Sequence, residues 1–464
     1  MRTIYMIIAA LVMHAGMTLH ATNPEWRMAD KIVKSIKRTS FPDKKYNILD
    51  FGALPDSKEL SSEAINKAII TCNQNGGGTV VVPKGVFLTG PITLKSNVNL
   101  HLAEGAVIKF STRPELYFPA VLTRWEGLDC YATHPMIYAY GETNFAITGS
   151  GIIDGQASNE HWWPWNGNPR FGWKKGIPSQ RGGSRDRLQT YSETMVPVAE
   201  RIFSEKDALR PQLVNFHSCN TILIEGVKLL NSPFWVIHPL LCKDMIVRKV
   251  RITSLGPNGD GCDPESSSNI LIEDCFFDTG DDCIAIKSGR NADGRKWNIP
   301  SENIVVRNCY MKNGHGGVVI GSEISGGFKN LFVENCKMDS PELDRVIRIK
   351  SNNCRGGIVE NVFVRNIEVG QCKESVLKVN LEYQPNEECD RSYPPTVRNV
   401  YLENVSCQKS KFGVLIIGLK DNNNVDGIVL KDCVFNNVDK RYNIVGASNV
   451  RFTNLKINGE EVSY

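Results

Sequence analysis

The stretch Asn269-Ile-Leu-Ile-Glu-Asp-Cys275 decides the fold, because its pattern recurs along the chain. A polar residue, usually asparagine, opens each unit. Apolar side chains then alternate with others, and the unit closes on cysteine or an aliphatic residue. Copies begin at residues 221, 244, 269, 303, 330, 361, 399, 427 and 449, at intervals of 22 to 38 residues, and a degraded early copy spans residues 144–150. Such alternation is typical of β-strands.

Each copy is too short to bury an apolar face by itself, so neighbouring copies must stack into a solenoid. Short strands at regular spacing could also form a β-sandwich or a propeller. Those antiparallel folds need tight hairpin turns, and no run of Asn-Gly-type turns separates the copies. We therefore predict an all-β protein with a parallel β-helix. The opening asparagines are predicted to be structural, bonding to one another along the stack.

The sequence before the regular repeats predicts a cap and one continuous domain. Residues 61–75 carry apolar side chains at helical spacing, which predicts a short helix covering the open end of the first coil. Strand-like segments follow at residues 79–83, 98–102 and 106–110. We assign residues 45–464 to a single β-helix catalytic domain and residues 22–44 to an N-terminal extension.

A long insertion at residues 151–220 interrupts the repeat. It holds several of the chain's eight tryptophans, at positions 162, 163, 165 and 173, and arginines at 181, 185 and 187. Loops that interrupt a rigid scaffold often carry function, and indole faces suit sugar rings. The alternative is that these tryptophans pack the insertion against the solenoid.

The N-terminus predicts export. A basic start, an apolar run over residues 4–13 and small or polar residues up to 21 describe a secretory signal peptide, residues 1–21. No later apolar stretch is long enough to span a membrane. The 54 basic and 50 acidic side chains leave a net charge of only +4, without the clustered cations of a nucleic-acid-binding protein. We expect an exported protein, periplasmic or secreted, that is a monomer.

Titratable side chains gather on consecutive coils after residue 257. Asp281 and His315 each lie twelve residues after a copy start, at 269 and 303, and so occupy one station on neighbouring coils, about 4.8 Å apart. Asp260 precedes Asp281 by about one coil. Arg348 and Lys350 alternate around an isoleucine and point to the same face.

This cluster suits hydrolysis of a glycosidic bond in an acidic sugar. Such a reaction needs one protonated carboxyl group and a second that activates water. Adjacent like charges are expected to raise the pKa of one carboxyl and supply the acid, and an Arg/Lys pair can bind a substrate carboxylate. Taken singly, the Asp-Asp pair could instead bind calcium or form a turn, and the cationic pair could face solvent.

Four motifs at coil spacing resemble glycoside hydrolase family 28, the polygalacturonases. Gly280-Asp281-Asp282, Gly314-His315-Gly316 and Arg348-Ile349-Lys350 match the family motifs unchanged. Asn258-Gly259-Asp260 differs from the family's Asn-Thr-Asp by a glycine. The resemblance covers nearly all of the chain after the predicted signal peptide. It implies a right-handed parallel β-helix and inverting hydrolysis of α-1,4-linked galacturonic acid in pectin, without a cofactor or a metal.

The resemblance also implies a role for each site residue. It makes Asp281 the general acid, Asp260 and Asp282 the residues that activate water, His315 the group that tunes the acid, Arg348 and Lys350 the ligands of the galacturonate carboxylate, and Asn258 a support for Asp260 or the sugar. The long insertion looks more like that of exo-acting members. Rhamnogalacturonan- and xylogalacturonan-directed hydrolases remain alternatives, as do a calcium-dependent pectate lyase and a sugar-binding solenoid without activity.

The fourteen cysteines need not form seven disulfides. Cys275, Cys309, Cys336 and Cys433 stand at the closing station of the repeat, where other copies have aliphatic residues. A buried cysteine behaves as a small apolar side chain. We predict that these four are free thiols in the core, whereas Cys262 and Cys283 beside the aspartates could pack or bridge.

Overall fold

A computed structural model describes residues 24–420 and 424–464, so the predicted signal peptide lies outside the described residues. The chain winds into a right-handed parallel β-helix in which strands of successive coils pair in register. Ile270 pairs with Ile304, and that residue with Leu331 on the next coil. Equivalent residues of the repeat therefore stack along the interior, as the sequence predicts.

Three faces make up each coil. The first face holds the strands Lys45–Asn47, Gly78–Val82, Val98–Leu102, Thr143–Gly149, Asn220–Glu225, Lys243–Arg248, Ser268–Glu273, Ser301–Arg307, Phe328–Glu334, Ile358–Val369, Thr396–Cys407, Val425–Lys431 and Ala447–Thr453. The second face holds Asp56–Leu60, Gly85–Thr89, Ala106–Phe110, Ile152–Asp154, Lys228–Leu230, Arg251–Ser254, Phe276–Thr279, Tyr310–Met311, Lys337–Met338, Val434–Phe435, Leu455–Ile457 and the antiparallel Glu460–Val462.

The third face carries the candidate site. Its strands are Ile92–Thr93, Ile137–Tyr140, Val214–His217, Ile237–Leu240, Ile284–Ile286, Val318–Ile320, Arg345–Lys350, Ser375–Asn380, Ser410–Ile417 and Val438–Val445. Single bridges through Cys262 and Glu265 join Ile237–Leu240 to Ile284–Ile286 and keep this face continuous. Outside the three faces, Val121–Trp125 and Leu128–Ala132 form an antiparallel hairpin.

The predicted asparagine ladder is confirmed. The Asn303 side chain donates to that of Asn269 at 3.2 Å, and Asn330 donates to Asn303 at 2.9 Å. The ladder continues through Asn361 and Asn399 at 3.0 and 3.2 Å. All five residues have positive φ angles between 56° and 66°, a conformation that asparagine tolerates better than most residues. The ladder therefore serves both the corner of each coil and its stacking.

In the described part of the chain, four α-helices accompany the strands, at Pro24–Ser35 (α1), Ser62–Gln74 (α2), Arg185–Glu193 (α3) and Asn291–Trp297 (α4). Helix α2 is the predicted cap and buries Ile65 and Ile69 against the first coil. Helix α1 was not predicted and packs on the outside of the first face, where Trp26 meets Phe332 edge-on at 5.6 Å. Among the described residues, no helix has the length and apolar character needed to cross a membrane.

The insertion packs tightly against the solenoid through its tryptophans. Trp162 and Trp165 are buried, and Trp162 contacts Tyr117 edge-on at 5.1 Å. The indole N–H of Trp163 donates to the Ser232 carbonyl at 3.0 Å. Packing therefore accounts for these three tryptophans, and other side chains of the insertion reach the site.

The cysteines follow the prediction for the core. Cys275, Cys309, Cys336 and Cys433 are buried and free, and so are Cys262 and Cys283. One disulfide joins Cys354 to Cys389. The six free thiols named here fill interior positions as apolar side chains do.

Candidate active site

The site forms where four coils reach the third face. Asp281 and Asp282 come just before the strand Ile284–Ile286, and His315 comes just before Val318–Ile320 on the next coil. Ile284 pairs with Val318, so an interval of 34 residues separates equivalent positions. The same interval places His315 beside Asp281, as the repeat spacing predicts.

Asp281 and His315 form an ion pair at the surface of the site. His315 Nδ1 lies 2.9 Å from Asp281 Oδ1. The hydrogen bond to Asp281 and its charge raise the pKa of His315 to about 9. Burial alone would raise the pKa of Asp281, but the hydrogen bond and charge of His315 outweigh burial and lower that pKa. The pair therefore holds one proton, and it resides on the imidazole.

Asp282 lies beneath this pair and binds both predicted cations. Its side chain is inaccessible to solvent, with Lys350 Nζ 2.7 Å from Oδ2 and an Arg348 guanidinium nitrogen 3.6 Å from Oδ1. Burial lowers the pKa of Lys350, but Asp282 more than offsets this effect. Asp282 Oδ1 and Arg348 Nε are buried and have no hydrogen-bond partner.

Asp260 completes the carboxylate cluster from the preceding coil. One oxygen each of Asp260, Asp281 and Asp282 lies within 4.8 Å of the others. Burial, followed by the charges of Asp263 and Asp281, raises the pKa of Asp260 well above its usual range. Crowding therefore raises the pKa of one carboxyl, as expected, but that carboxyl is Asp260 and not Asp281, the residue to which the family resemblance gives the role of acid, because His315 compensates Asp281.

The Asn258 side chain is held in place by a buried arginine. Its Oδ1 accepts a hydrogen bond from the buried Arg210 guanidinium at 2.7 Å. The neighbouring Gly259 departs from the family motif for a steric reason. A Cβ at this position would lie 2.8 Å from the Ser254 carbonyl oxygen and 2.9 Å from that of Gly256. The local backbone therefore leaves no room for the threonine of the family.

The sequence reasoning missed several residues at the site. Lys287 is buried below Asp260, with Nζ 3.7 Å from Asp260 Oδ2, 3.7 Å from Asp263 Oδ1 and 3.2 Å from Glu323 Oε2. Tyr383 places its ring 5.5 Å from both Arg348 and Lys350. One signal was present, because Lys287 directly follows a fully buried apolar strand, where an unpaired lysine would be costly.

Two cavities border the Asp281–His315 pair. The smaller, about 310 Å³, is lined by Asp260, Arg348 and Lys350 together with Tyr383 and Gln384. The larger, about 520 Å³, is lined in part by residues of the insertion: Asn166, Asn168, Arg170, Phe171 and Arg181. The insertion also contributes Arg185 to the smaller cavity.

The three clustered carboxylates could in principle hold a cation, but their charges are already compensated. Lys350 and Arg348 face Asp282, His315 faces Asp281, and Lys287 faces Asp260. A divalent cation would have to displace these groups or add charge beside them.

Two comparisons define the class of the protein. Residues 200–450 match the model for glycosyl hydrolases family 28, and residues 46–112 match a model for rhamnogalacturonase A/epimerase, pectate lyase-like proteins. A solved structure, a hyperthermoactive exopolygalacturonase from Thermotoga maritima, is 42% identical, with a TM-score of 0.90 over 95% of this chain and 97% of that one. The chain belongs to glycoside hydrolase family 28.

Curated relatives agree at lower identity. A probable polygalacturonase from Vitis vinifera is 29% identical over 70% of this chain and 61% of its own length. An exo-poly-alpha-D-galacturonosidase from Dickeya chrysanthemi is 27% identical over 79% of this chain and 63% of its own. The chain thus spans about three fifths of the length of these two relatives.

Proposed function

We propose that the protein hydrolyses α-1,4-linked galacturonic acid residues in pectin by an inverting, exo-acting mechanism. One observation carries the proposal: the Asp281–His315 pair borders two cavities, and the smaller cavity holds Asp260, Arg348 and Lys350. Proton donor, water-activating carboxylate and cations for a uronate thus face one enclosed space. The named activities of the family 28 relatives support the same reaction.

Protonation of the leaving oxygen is assigned to the Asp281–His315 pair. If the two linked sugars occupy the two cavities, the glycosidic oxygen lies between the cavities. A group that borders both cavities can then reach this oxygen. Asp281 is 20% exposed there, and His315 supplies the shared proton across 2.9 Å. As the bridging oxygen gains negative character, Asp281 delivers a proton to it and takes up the Nδ1 proton of His315, which leaves a neutral imidazole beside the Asp281 carboxylate.

Activation of water is assigned to Asp260 and Asp282. Each has one buried oxygen without a hydrogen-bond partner, so each can accept a hydrogen bond from a water molecule. A water molecule with both hydrogens held by carboxylates is aligned to attack with its lone pair. The carboxyl separation does not itself assign inversion, because oxygens within 4.8 Å are closer than the ~6.5–9.5 Å usual for inverting enzymes.

Substrate recognition is assigned to the cations of the smaller cavity. Arg348 and Lys350 both line this cavity, and their positive charges can attract a uronate carboxylate. Arg185 of the insertion also lines this cavity, and an inserted loop that borders the sugar-binding space supports removal of sugars from a chain end. A decorated substrate, xylogalacturonan or rhamnogalacturonan, would have to fit its side groups within about 310 Å³.

Product analysis tests the proposal directly. The protein is incubated with de-esterified polygalacturonate and, in parallel, with rhamnogalacturonan and xylogalacturonan, and the products are separated by chromatography. A single short product from the first substrate at early times is expected. A ladder of mixed oligomers would refute exo action, and release from a neutral glycan alone would refute the carboxylate-binding role. Proton NMR of the first product distinguishes inversion from retention.

The two rival functions give different results in the same assay. A calcium-dependent lyase would lose activity with a chelator and release products absorbing in the ultraviolet. A binding solenoid would release nothing, and Asp281→Asn would leave its binding intact. A hydrolase predicts chelator-resistant release without that absorbance, abolished in the Asp281→Asn variant.

We also propose export by the signal peptide at residues 1–21 and a monomeric state. The apolar run over residues 4–13 supports export. N-terminal sequencing of the protein recovered from outside the cytoplasm tests the cleavage, and light scattering tests the assembly. An uncleaved N-terminus or a mass above about 52 kDa would contradict these assignments.

A further inference from the structure

Lys287 is buried below the site and has no part in the functions assigned so far. It is 3% exposed, and its ammonium group contacts side chains from three different segments of the chain. Asp260 and Asp263 each lie 3.7 Å away, Glu323 lies 3.2 Å away, and the Trp235 ring centroid lies 4.5 Å away. A lysine is seldom buried so completely unless its charge is compensated.

We propose that Lys287 is a positioning residue for the reaction. Its ammonium group holds the Asp260 carboxylate in place, and Glu323 holds the ammonium group. The inference deepens the proposed function and rests on it. Asp260 Oδ1 is buried without a hydrogen-bond partner, while Oδ2 lies 3.7 Å from the Lys287 ammonium group. A carboxylate fixed on one oxygen can present the other to water in a constant direction.

The surrounding charges make Lys287 the local counter-ion of Asp260. The groups facing Asp260 are Asp263, Asp281 and Asp282, which raise its pKa, and Lys287, which lowers it. Burial disfavours the charged ammonium group, yet Glu323 and the two aspartates raise the pKa of Lys287 well above its usual range. Glu323 therefore competes with Asp260 for the same cation while keeping that cation charged.

Two substitutions should shift the acidic limb of the pH–activity profile in opposite directions. In Lys287→Met, Asp260 loses its counter-ion, so kcat should fall at least about 10-fold and the acidic limb of the pH profile should rise by about one unit. KM should change less than about two-fold, because Lys287 supports Asp260 and not the sugar. In Glu323→Gln, Lys287 is freed to face Asp260, and the acidic limb should move to lower pH.

Controls separate this role from simple packing. Lys312 also pairs with a carboxylate on the neighbouring coil, Asp278, at 3.1 Å, but its side chain is half exposed. The Lys312→Met variant should therefore leave the pH profile unchanged. If Lys287→Met does not fold, the double variant Lys287→Met/Glu323→Gln removes one charge of each sign and should fold while retaining the raised limb. An unmoved limb, or a raised KM with normal kcat, would overturn the proposal.

A readout without substrate keeps this test independent of the proposed function. The loss of thermal stability in Lys287→Met relative to wild type should be larger at about pH 8 than at about pH 5, because the raised pKa of Asp260 makes a larger share of this carboxyl charged at the higher pH. A difference that does not vary with pH would overturn the role of Lys287. Absence of galacturonate release by the wild type would overturn the proposed function instead.

Discussion

His315 Nδ1 lies 2.9 Å from Asp281 Oδ1, one coil earlier in the solenoid, and this contact sets the charge of both groups. The imidazole pKa rises to about 9, and the pKa of the carboxyl falls below its usual range. In the proposed mechanism, the proton for the leaving oxygen is therefore held on a half-exposed histidine and not on a carboxylic acid in an apolar pocket.

The pH dependence of activity should report this pair. Its proton is lost as pH rises through about 9, so the alkaline limb of kcat/KM should fall near that value. In His315→Ala, the proton must reside on Asp281 itself, and the alkaline limb should move several units lower with a loss of at least about 10-fold in kcat. Titration of the wild type and the variant on polygalacturonate measures both limbs, and an unmoved limb would exclude the pair as the donor.

Stability should follow the same pair in a defined direction. The folded-state pKa of His315 is about 9, above its ordinary value of 6.5, so the stabilisation is complete below about pH 6.5 and is lost as pH rises through 9. The His315→Ala variant should therefore approach the wild-type melting temperature as pH increases from about 6 to 10. A constant gap between the two melting curves would argue against a charged histidine.

Lys350→Met should be strongly destabilising because it leaves Asp282 partly uncompensated in the interior. Breaking a buried ion pair by removing one partner costs about 3–5 kcal/mol. Lys431→Met is the matched control, since its ammonium group lies at the same 2.7 Å from a carboxylate, Glu403, but on an exposed surface. The control should lose less than about 1 kcal/mol in denaturant unfolding. Equal losses in the two variants would contradict burial of the Asp282 pair.

The repeat made much of this site predictable, because stacking turns sequence intervals into contacts. The 34-residue interval between copies places His315 next to Asp281 on the neighbouring coil. The alternation of side chains in the strand 345–350 places Arg348 and Lys350 on the same face, where both contact Asp282. Contacts that depend on loops were not predictable, since no period relates Arg210 of the insertion to Asn258. The strand repeat also could not predict helix α1, because this helix lies outside the repeat. Its buried residues Trp26, Ala29 and Ile32 are nevertheless spaced as in an amphipathic helix.

The sequence also could not predict which carboxyl group of the site has the raised pKa. Crowded carboxylates predict that one pKa is raised, but which one depends on where each cation comes to rest. His315 and Lys350 approach Asp281 and Asp282 closely, whereas Lys287 stays 3.7 Å from Asp260 and is shared with Asp263 and Glu323. These distances follow from side-chain packing and not from spacing along the chain.

Gly259→Thr would restore the family motif and should nevertheless harm the protein. The added Cβ would approach two carbonyl oxygens to within 3 Å, so the segment carrying Asn258 and Asp260 must shift. Overpacking of this kind costs about 1–3 kcal/mol, and displacement of Asp260 should lower kcat. Gly183→Ala is the control, because a Cβ there meets nothing within 4 Å. Normal kinetics in Gly259→Thr would mean that the segment adapts without moving Asp260.

The asparagine ladder should be a stability feature without a catalytic role. Asn330→Ala removes hydrogen bonds to Asn303 and from Asn361 and forces alanine into a φ of 66°. A loss of about 1–3 kcal/mol is expected in urea unfolding, with kcat unchanged. Asn330→Gly keeps the backbone conformation accessible and should lose less than Asn330→Ala. A fall in kcat in either folded variant would indicate that the ladder also positions the site.

The thiol content provides a test of the core that needs no substitution. Twelve cysteines are free and buried in the structure, and Cys354 and Cys389 form a disulfide. The free thiols pack as small apolar side chains, so export to an oxidising compartment should leave them reduced once the solenoid has closed around them. Alkylation of the unfolded, unreduced protein followed by mass spectrometry should modify twelve cysteines, and prior reduction should raise the number by the disulfide pair. Fewer than four modified thiols would contradict a core lined by Cys275, Cys309, Cys336 and Cys433 as free side chains.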